Sequence, residues 1–569
     1  MRKAWKWLTR IATVTLVAIA GWYWLHGPSI EQGSYLVLDV SGSYSEARPG
    51  GLLSRVLGRP SSLSDLTETL RKVRHDGRIA GVVVRIGDAS IGWAQAHEIR
   101  GALALAKARG KRVVAELEVE LEPASAEVYI ASAADEVYVA PAAAPLLTGL
   151  KASAVFLGGV WPKLDIGLQV EKIREYKTAG DELSRESMSP AHREMLESLL
   201  DDLDDQLVRT LAGARNLGAD EVRGAITRGL TRPGDFVKAG IANAVRGHEE
   251  ILTALGDGKA APTVTEDTYS GVRSASLGIG SGPPVAVVHA SGAVHSGETG
   301  RGSRNIGSRS IAAALAQATK DDSIRAIVLR VDSPGGSPAA SDEIWLAVRA
   351  AAAKKPVIAS LGDVAASGGY YFASAASRIV ASPGTLTGSI GVVFFKPDVS
   401  ALLSRVGVHV ETIRRGRHAG LLDLHKPLDE EELALVRTQL DDVYRLFVER
   451  VATGRKKRPE DIDRVGGGRV WTGQQAFERG LVDEIGTFED AVRAAANAAG
   501  IHDADKVRLV HYPRGEGLAA QLAEAGSGVA ASMQPPLLAR LAETLGESAA
   551  MLELEPGVQL LAESLPTIE

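Results

Sequence analysis

Most of this chain is written twice. Ile79-Ala-Gly-Val-Val-Val-Arg85, Glu98-Ile99 and Tyr129-Ile-Ala-Ser-Ala-Ala134 return as Ile324-Arg-Ala-Ile-Val-Leu-Arg330, Glu343-Ile344 and Tyr371-Phe-Ala-Ser-Ala-Ala376, at spacings of 245 (324 − 79) and 242 (371 − 129) residues. Further on, Glu171-Lys-Ile173 answers to Glu411-Thr-Ile413 and Leu203-Asp-Asp205 to Leu440-Asp-Asp442, at 240 (411 − 171) and 237 (440 − 203). A single long period is the duplication of a whole domain, not the short repeat of a solenoid. Over 569 residues it predicts two cores of roughly 200 to 250 residues each.

Within each copy, short apolar runs alternate with amphipathic stretches. Ser34 to Asp39, Val82 to Val84 and Val113-Val114 read as buried strands, and Leu63 to Arg74 as a helix between two of them. In the second copy Val285 to His289, Ile327 to Val331 and Pro356 to Leu361 are strands, Ala339 to Ala353 is a helix and Gly368 to Ser374 a short one. Such alternation predicts an α/β fold with mainly parallel sheets and right-handed crossovers. Ser189-Pro190 starts a helix that runs to about Ala214, a capping residue followed by proline at the first helical position. Leu277-Gly-Ile-Gly-Ser-Gly-Pro-Pro284 is the interdomain linker. The expected domains are 29–277 and 278–505. Residues 506–569 form a C-terminal extension read as helical decoration or a partner contact.

The two copies differ where chemistry needs them to differ. Ser333-Pro-Gly-Gly336 and Ala366-Ser-Gly-Gly369 of the second copy fall opposite Asp88-Ala-Ser-Ile91 and Ala124-Ser-Ala-Glu127 of the first. Ser367 follows a strand and precedes glycines that open a helix, a turn that exposes a hydroxyl and aims backbone N–H groups at what it attacks. The Gly368 amide is one candidate oxyanion donor, and Gly335-Gly336, where backbone can approach a substrate closely, offers the second. A serine nucleophile needs a base, commonly histidine. Twelve histidines are present, but His289, His295, His418 and His425 stand in no Ser/His/Asp order. Lysine serves if burial leaves its amine neutral. Lys177 aligns with Arg417, whose guanidinium cannot be deprotonated, so the first copy alone keeps an amine base.

Composition narrows the remaining options. A net charge of −6 offers no basic field for nucleic acid, and the absence of cysteine removes disulfides and thiolate chemistry. Arg2, Lys3, Lys6 and Arg10 flank an apolar run, and Leu8 to Leu25 gives 18 residues, enough at ~1.5 Å each to cross most of a ~30 Å hydrocarbon layer. The basic flank orients the rest of the chain outside the cytoplasm. Ala18-Ile-Ala20 resembles a cleavage site and Trp22-Tyr-Trp24 an interfacial belt, and the anchor, residues 1–28, is read as uncleaved.

Val331-Asp-Ser-Pro-Gly-Gly336, Asp363-Val-Ala-Ala-Ser-Gly-Gly-Tyr370, Thr387-Gly-Ser-Ile-Gly391 and Tyr176-Lys-Thr178 together resemble the signal peptide peptidase A (protease IV) family in its long, duplicated, membrane-anchored bacterial form. The resemblance covers roughly residues 5 to 500. It implies two tandem domains of the Clp protease/crotonase fold and a Ser/Lys dyad with Ser367 as nucleophile and Lys177 as general base. Ser389 would orient the lysine, and Gly368 with Gly336, rather than Gly335, would supply the oxyanion donors. It further implies no metal or cofactor, hydrophobic peptides such as signal peptide remnants as substrates, a ring-like homo-oligomer with a tetramer favoured, and a single-pass location in the bacterial inner membrane with the catalytic part in the periplasm. Two other readings stand beside it: a crotonase-like acyl-CoA enzyme and a non-catalytic membrane scaffold.

Overall fold

A computed structural model of the chain describes residues 28–46, 62–300 and 305–513, and the backbone of 557–561. The expected anchor, residues 8–25, lies outside the described residues, among which no helix is long and apolar enough to cross a membrane.

Each copy builds a sheet with six parallel strands in the same order, and the second sheet branches to add Leu386–Gly388 beside Val357–Ala366 and, antiparallel to Leu386–Gly388, Val470–Thr472. Across the first sheet run Ala244–Val245, Glu136–Val139, Arg112–Leu117, Ile79–Ser90, Ser34–Ser43 and Thr263–Thr265. Across the second run Glu484–Ile485, Arg378–Ala381, Val357–Ala366, Ile327–Ser333, Pro284–Ser291 and Arg508–Tyr512. Both faces of such sheets are covered by helices, which is why the central strands read as unbroken Val/Ile/Leu runs: Val82, Val83, Val84 and Ile327, Val328, Leu329 are all fully buried. Arg508–Tyr512 lies beyond the expected boundary at 505 and completes this second sheet. The long helices Pro190–Arg215 and Glu430–Arg455 also correspond, 240 residues apart (430 − 190). Ser189 and Asp429 cap their first turns by accepting from the amides of His192 and Glu432, and both end on a left-handed residue, Asn216 and Lys456.

A third sheet is made by both copies together. Its order is Ile306–Gly307, Val294–His295, Gly335–Gly336, Gly557–Leu561, Val393–Asp398, Gly167–Lys172. The last of these is an arm from the first copy that pairs antiparallel with Val393–Asp398 of the second, from Val393↔Lys172 to Asp398↔Gly167. Gly557–Leu561 is a strand inside the segment expected to be helical, which corrects that part of the C-terminal reading.

Buried charge seats one copy on the other. The Arg330 guanidinium donates to both carboxylate oxygens of Glu46 (2.8 and 3.1 Å), to Glu98 (3.1 Å) and to the Ser360 hydroxyl (2.9 Å). Glu98 in turn accepts from the Phe488 amide (2.7 Å). Asp363 of the second copy accepts from the Ala94 and Gln95 amides at the start of helix Trp93–Ala108 of the first (2.8 and 3.0 Å). The preceding Gly92 permits this, since a Cβ there would sit 2.3 Å from the Asp363 carboxyl. Asp332 accepts from the Val364 amide (3.0 Å), so both motif aspartates brace the loops that carry the glycines and the serine. Desolvation pushes the Glu98 carboxyl up to about 7 despite Arg330, and also raises Asp332 and Asp363.

Removing the cation leaves several carboxyls buried without their balancing charge, so Arg330→Met is expected to cost about 3–5 kcal/mol in denaturant titration. Glu98 holds a proton more tightly folded than unfolded. Its stabilising contribution is therefore complete below the ordinary glutamate pKa near 4.5 and disappears as pH rises through about 7. Glu98→Gln should flatten that part of the stability profile between pH 5 and 8; an unchanged slope would assign it to other groups.

Candidate active site

Strand Val357–Ala366 ends at Ser367, whose backbone turns sharply into helix Gly368–Ala373 with φ +52° and ψ −115°. A non-glycine residue held there costs on the order of 1–3 kcal/mol, which the surrounding bonds must offset. The Ser367 amide donates to the Gly388 carbonyl (2.9 Å) and its carbonyl accepts from Tyr371 (2.8 Å). The Thr387 hydroxyl ties strand Leu386–Gly388 to the Ala365 carbonyl (2.6 Å). Two residues after Thr387, Ser389 also has positive φ, +48°. These turns aim both serine hydroxyls at one point.

The arm of the first copy brings Lys177 to that point. Past Gly167–Lys172 the chain bonds once more to the second copy, Ile173 N–H to the Val392 carbonyl (3.2 Å), and then turns inward. Tyr176 donates to Glu194 (2.6 Å) and lies under the Arg469 guanidinium, 4.6 Å from its ring centre, which pins the turn from outside. Lys177 is fully buried, and its Nζ lies 2.9 Å from Ser367 Oγ, 2.9 Å from Ser389 Oγ and 3.4 Å from the Ser389 carbonyl oxygen. A hydroxyl and an amine from different copies thus meet at hydrogen-bond distance, with a second hydroxyl on the same nitrogen.

Glycines make room for this meeting. A Cβ on Gly468 would fall 2.4 Å from the Lys177 amide nitrogen, and one on Gly391 would fall 3.1 Å from Lys177 Cδ. Gly391 belongs to the Thr-Gly-Ser-Ile-Gly motif, but Gly468 was missed; the run Gly466-Gly467-Gly468 was the available signal. Gly368 faces the other glycine loop, where its Cβ would lie 3.0 Å from Gly335 Cα and 3.1 Å from the Gly336 nitrogen. The Gly335 amide donates to the Ser333 hydroxyl (3.2 Å), which itself donates to the Gly292 carbonyl (2.7 Å). Ser337 N–H bonds the Val294 carbonyl (2.8 Å), so the intervening Gly336 N–H is directed to the opposite edge of its strand.

Other sequence candidates go elsewhere. Arg417 is on the surface, paired with Glu431. The His289 and His511 rings stack with Nε2 and Nδ1 2.9 Å apart, His295 lies by the Ser296 carbonyl and His425 by Thr412. In the first copy, Ser125 corresponds to Ser367, but Glu127 stands where Gly369 does. Its buried carboxyl, pushed up to about 7, accepts from the Ala89 amide (3.3 Å), whereas a Cβ at Gly369 would fall 2.5 Å from the Ser333 carbonyl oxygen, so the second copy has no room for such a side chain.

The chain matches peptidase family S49 over residues 106–259 and 349–502, once in each copy. Serine protease SPPA, chloroplastic, of Arabidopsis thaliana is 34% identical over 495 residues, which are 85% of this chain and 72% of that one. Protease 4 of Salmonella typhi is 31% identical over 516 residues, 85% of this chain and 82% of its own. Over a single copy, putative signal peptide peptidase SppA of Enterococcus faecium is 36% identical across 194 residues, 33% of this chain and 56% of its own. The chain belongs to peptidase family S49 and is a serine peptidase of the long, duplicated kind.

Because Gly468 has φ +87° and lies against Lys177 backbone, Gly468→Ala should displace the amine. A shift near 1 Å at a reacting group costs about a hundredfold in kcat. Peptide hydrolysis by the variant should fall by at least that factor while its circular dichroism stays unchanged; a near-normal rate would show that the lysine does not need this seat.

Proposed function

We propose that the chain is an endopeptidase using a Ser/Lys dyad, Ser367 as nucleophile and Lys177 as general base, on extended hydrophobic peptides such as spent signal peptides. The observation that carries this reading is the 2.9 Å separation of Lys177 Nζ and Ser367 Oγ inside a fully buried site. Burial favours the neutral amine over the ammonium, and a neutral amine can take the hydroxyl proton. The oxygen then attacks the peptide carbonyl carbon, and the resulting oxyanion lies toward the Gly368 and Gly336 amides. The protonated lysine returns its proton to the departing amine, leaving an ester on Ser367. Water, deprotonated by the same amine, hydrolyses that ester and restores the hydroxyl. Ser389 holds the lysine through its hydroxyl and carbonyl, restricting the amine to the direction of Ser367. An acyl-CoA enzyme of related fold has no use for the serine–lysine contact, and a scaffold has none for the strained Ser367 turn.

The reading extends to membrane and assembly. Attachment through residues 8–25 would hold the site outside the cytoplasm, where cleaved signal peptides accumulate. A ring of copies is supported by the repeat itself. Arm Gly167–Lys172 has its counterpart at 407–412, and its partner strand 393–398 has one at 153–158, both 240 residues away. These counterparts form no strands and leave Val155, Val408 and Val410 exposed, and the adjoining Ile413 is exposed at 89%. Pairing of 407–412 of one copy with 153–158 of the next repeats the contact made within the chain, and such head-to-tail contacts close into rings. Four subunits is the number the family resemblance implies.

Ser367→Ala should abolish hydrolysis of an apolar peptide with assembly intact. Lys177→Arg should be as damaging as Lys177→Ala, each by several orders of magnitude in kcat/KM, because a permanent cation accepts no proton. An arginine variant with substantial activity would refute the base assignment. Activity should also climb with pH as the amine loses its proton, and a flat profile would point to another base. For the ring, the double variant V408D/I413D should sediment as a smaller species than the unsubstituted chain; equal masses would place the contact elsewhere.

A further inference from the structure

The third sheet contains a gap that the chain itself fills. Without Gly557–Leu561, that sheet falls into two pieces, one ending at Gly335–Gly336 and the other at Val393–Asp398. The two edges face one another across the width of a single strand, and each presents backbone groups for pairing. Gly557–Leu561 runs antiparallel to both. Its register is Gly335↔Leu561 and Gly336↔Leu560 on one side, and Val393↔Gln559, Phe394↔Val558 and Phe395↔Gly557 on the other.

Both edges belong to the active site. Gly335 and Gly336 are the residues against which Gly368 packs, next to Ser367. Val393 pairs on its far side with Lys172, five residues before Lys177. A strand in the gap therefore passes between the loop bearing the glycines and the arm bearing the amine. Addition of an extended peptide to open sheet edges is a general mode of peptide recognition, in which backbone bonds supply affinity without demanding one sequence. The tail strand, Gly-Val-Gln-Leu-Leu, is itself uncharged and, Gln559 apart, apolar. Ser367, Lys177 and Ser389 have no exposed surface with the strand in place, so something must leave before a substrate reaches the hydroxyl.

We propose that this gap is the peptide-binding slot and that the chain's own C-terminal strand, Gly557–Leu561, occupies it as a pseudosubstrate which an incoming extended peptide must displace. The substrate part of this rests on the peptidase reading above; the occupancy does not. It makes the tail a competitor at permanently high local concentration, so that the enzyme favours peptides able to pair along both edges over short or charged ones.

The test uses the full chain. Successive N–H groups of a strand point to opposite neighbours, so V558P removes a donor toward one edge and Q559P toward the other. In the Ser367→Ala background, each is expected to speed hydrogen–deuterium exchange at Gly336 and at Val393–Phe395, and added synthetic Gly-Val-Gln-Leu-Leu should restore protection. Exchange unchanged by both prolines overturns the proposal. In the active chain, a tail that fills the slot nine-tenths of the time raises the apparent KM about tenfold. V558P should lower KM for an apolar peptide by that factor with kcat unaltered, and an unaltered KM again overturns it. If no variant hydrolyses peptide while exchange still responds to the prolines, the peptidase reading fails and the occupancy stands.

Discussion

The structure depends on holding a buried amine from one copy of a domain against a buried hydroxyl from the other. Neither copy supplies both groups. Lys177 arrives on an arm that leaves the first copy and completes a sheet with strand Val393–Asp398 of the second. Ser367 is presented by a strained turn that only the second copy makes. A separation of 2.9 Å tolerates little slack, so the copies must dock as one rigid unit. Arg330 with Glu46 and Glu98, and Asp363 on the first turn of helix Trp93–Ala108, supply that rigidity. Partners removed from water make such contacts costly to break singly, which suits a joint that must not loosen.

Duplication explains how one site came to be shared. Two equal copies would each hold a serine turn, a glycine loop and a lysine arm. In the first copy the turn position retains Ser125, yet Glu127 stands where the second copy has a glycine, its carboxyl accepting from the Ala89 amide. The arm of the second copy carries Arg417, which stays at the surface. Each copy has thus kept what the other lost, and the apolar residues left exposed along 407–412 mark where a sheet contact present within the chain is missing at its other end.

Glycine governs the site more than any charged residue does. Gly468 and Gly391 leave the volume Lys177 occupies, and Gly368 lets two backbone loops approach to van der Waals distance. The third sheet follows the same economy. Its strands are two to six residues long, drawn from both copies and from the C-terminal segment, and it lays backbone edges near Lys177 and Ser367.

Much of this was legible in the chain. The repeat predicted two α/β units, and their matching strand order agrees with it, because a 240-residue echo of buried strands leaves few alternative topologies. The asymmetry of Lys177 against Arg417 and of the two glycine loops singled out the groups that meet. The motif aspartates Asp332 and Asp363 read as part of a signature, and only the fold reveals Asp332 bracing the Val364 amide within its own copy and Asp363 the first turn of a helix in the neighbouring one. Gly468 lies 291 residues from Lys177 (468 − 177), and no local pattern connects them. The alanine- and leucine-rich tail reads locally as helical decoration or a partner contact, whereas strand Gly557–Leu561 forms by pairing with two distant edges. Local sequence determines which residues can form a strand or expose a hydroxyl, since those preferences act within a few residues. Which copy's amine reaches which copy's hydroxyl, and what lies between two open edges, are long-range contacts that only docking of the finished domains decides.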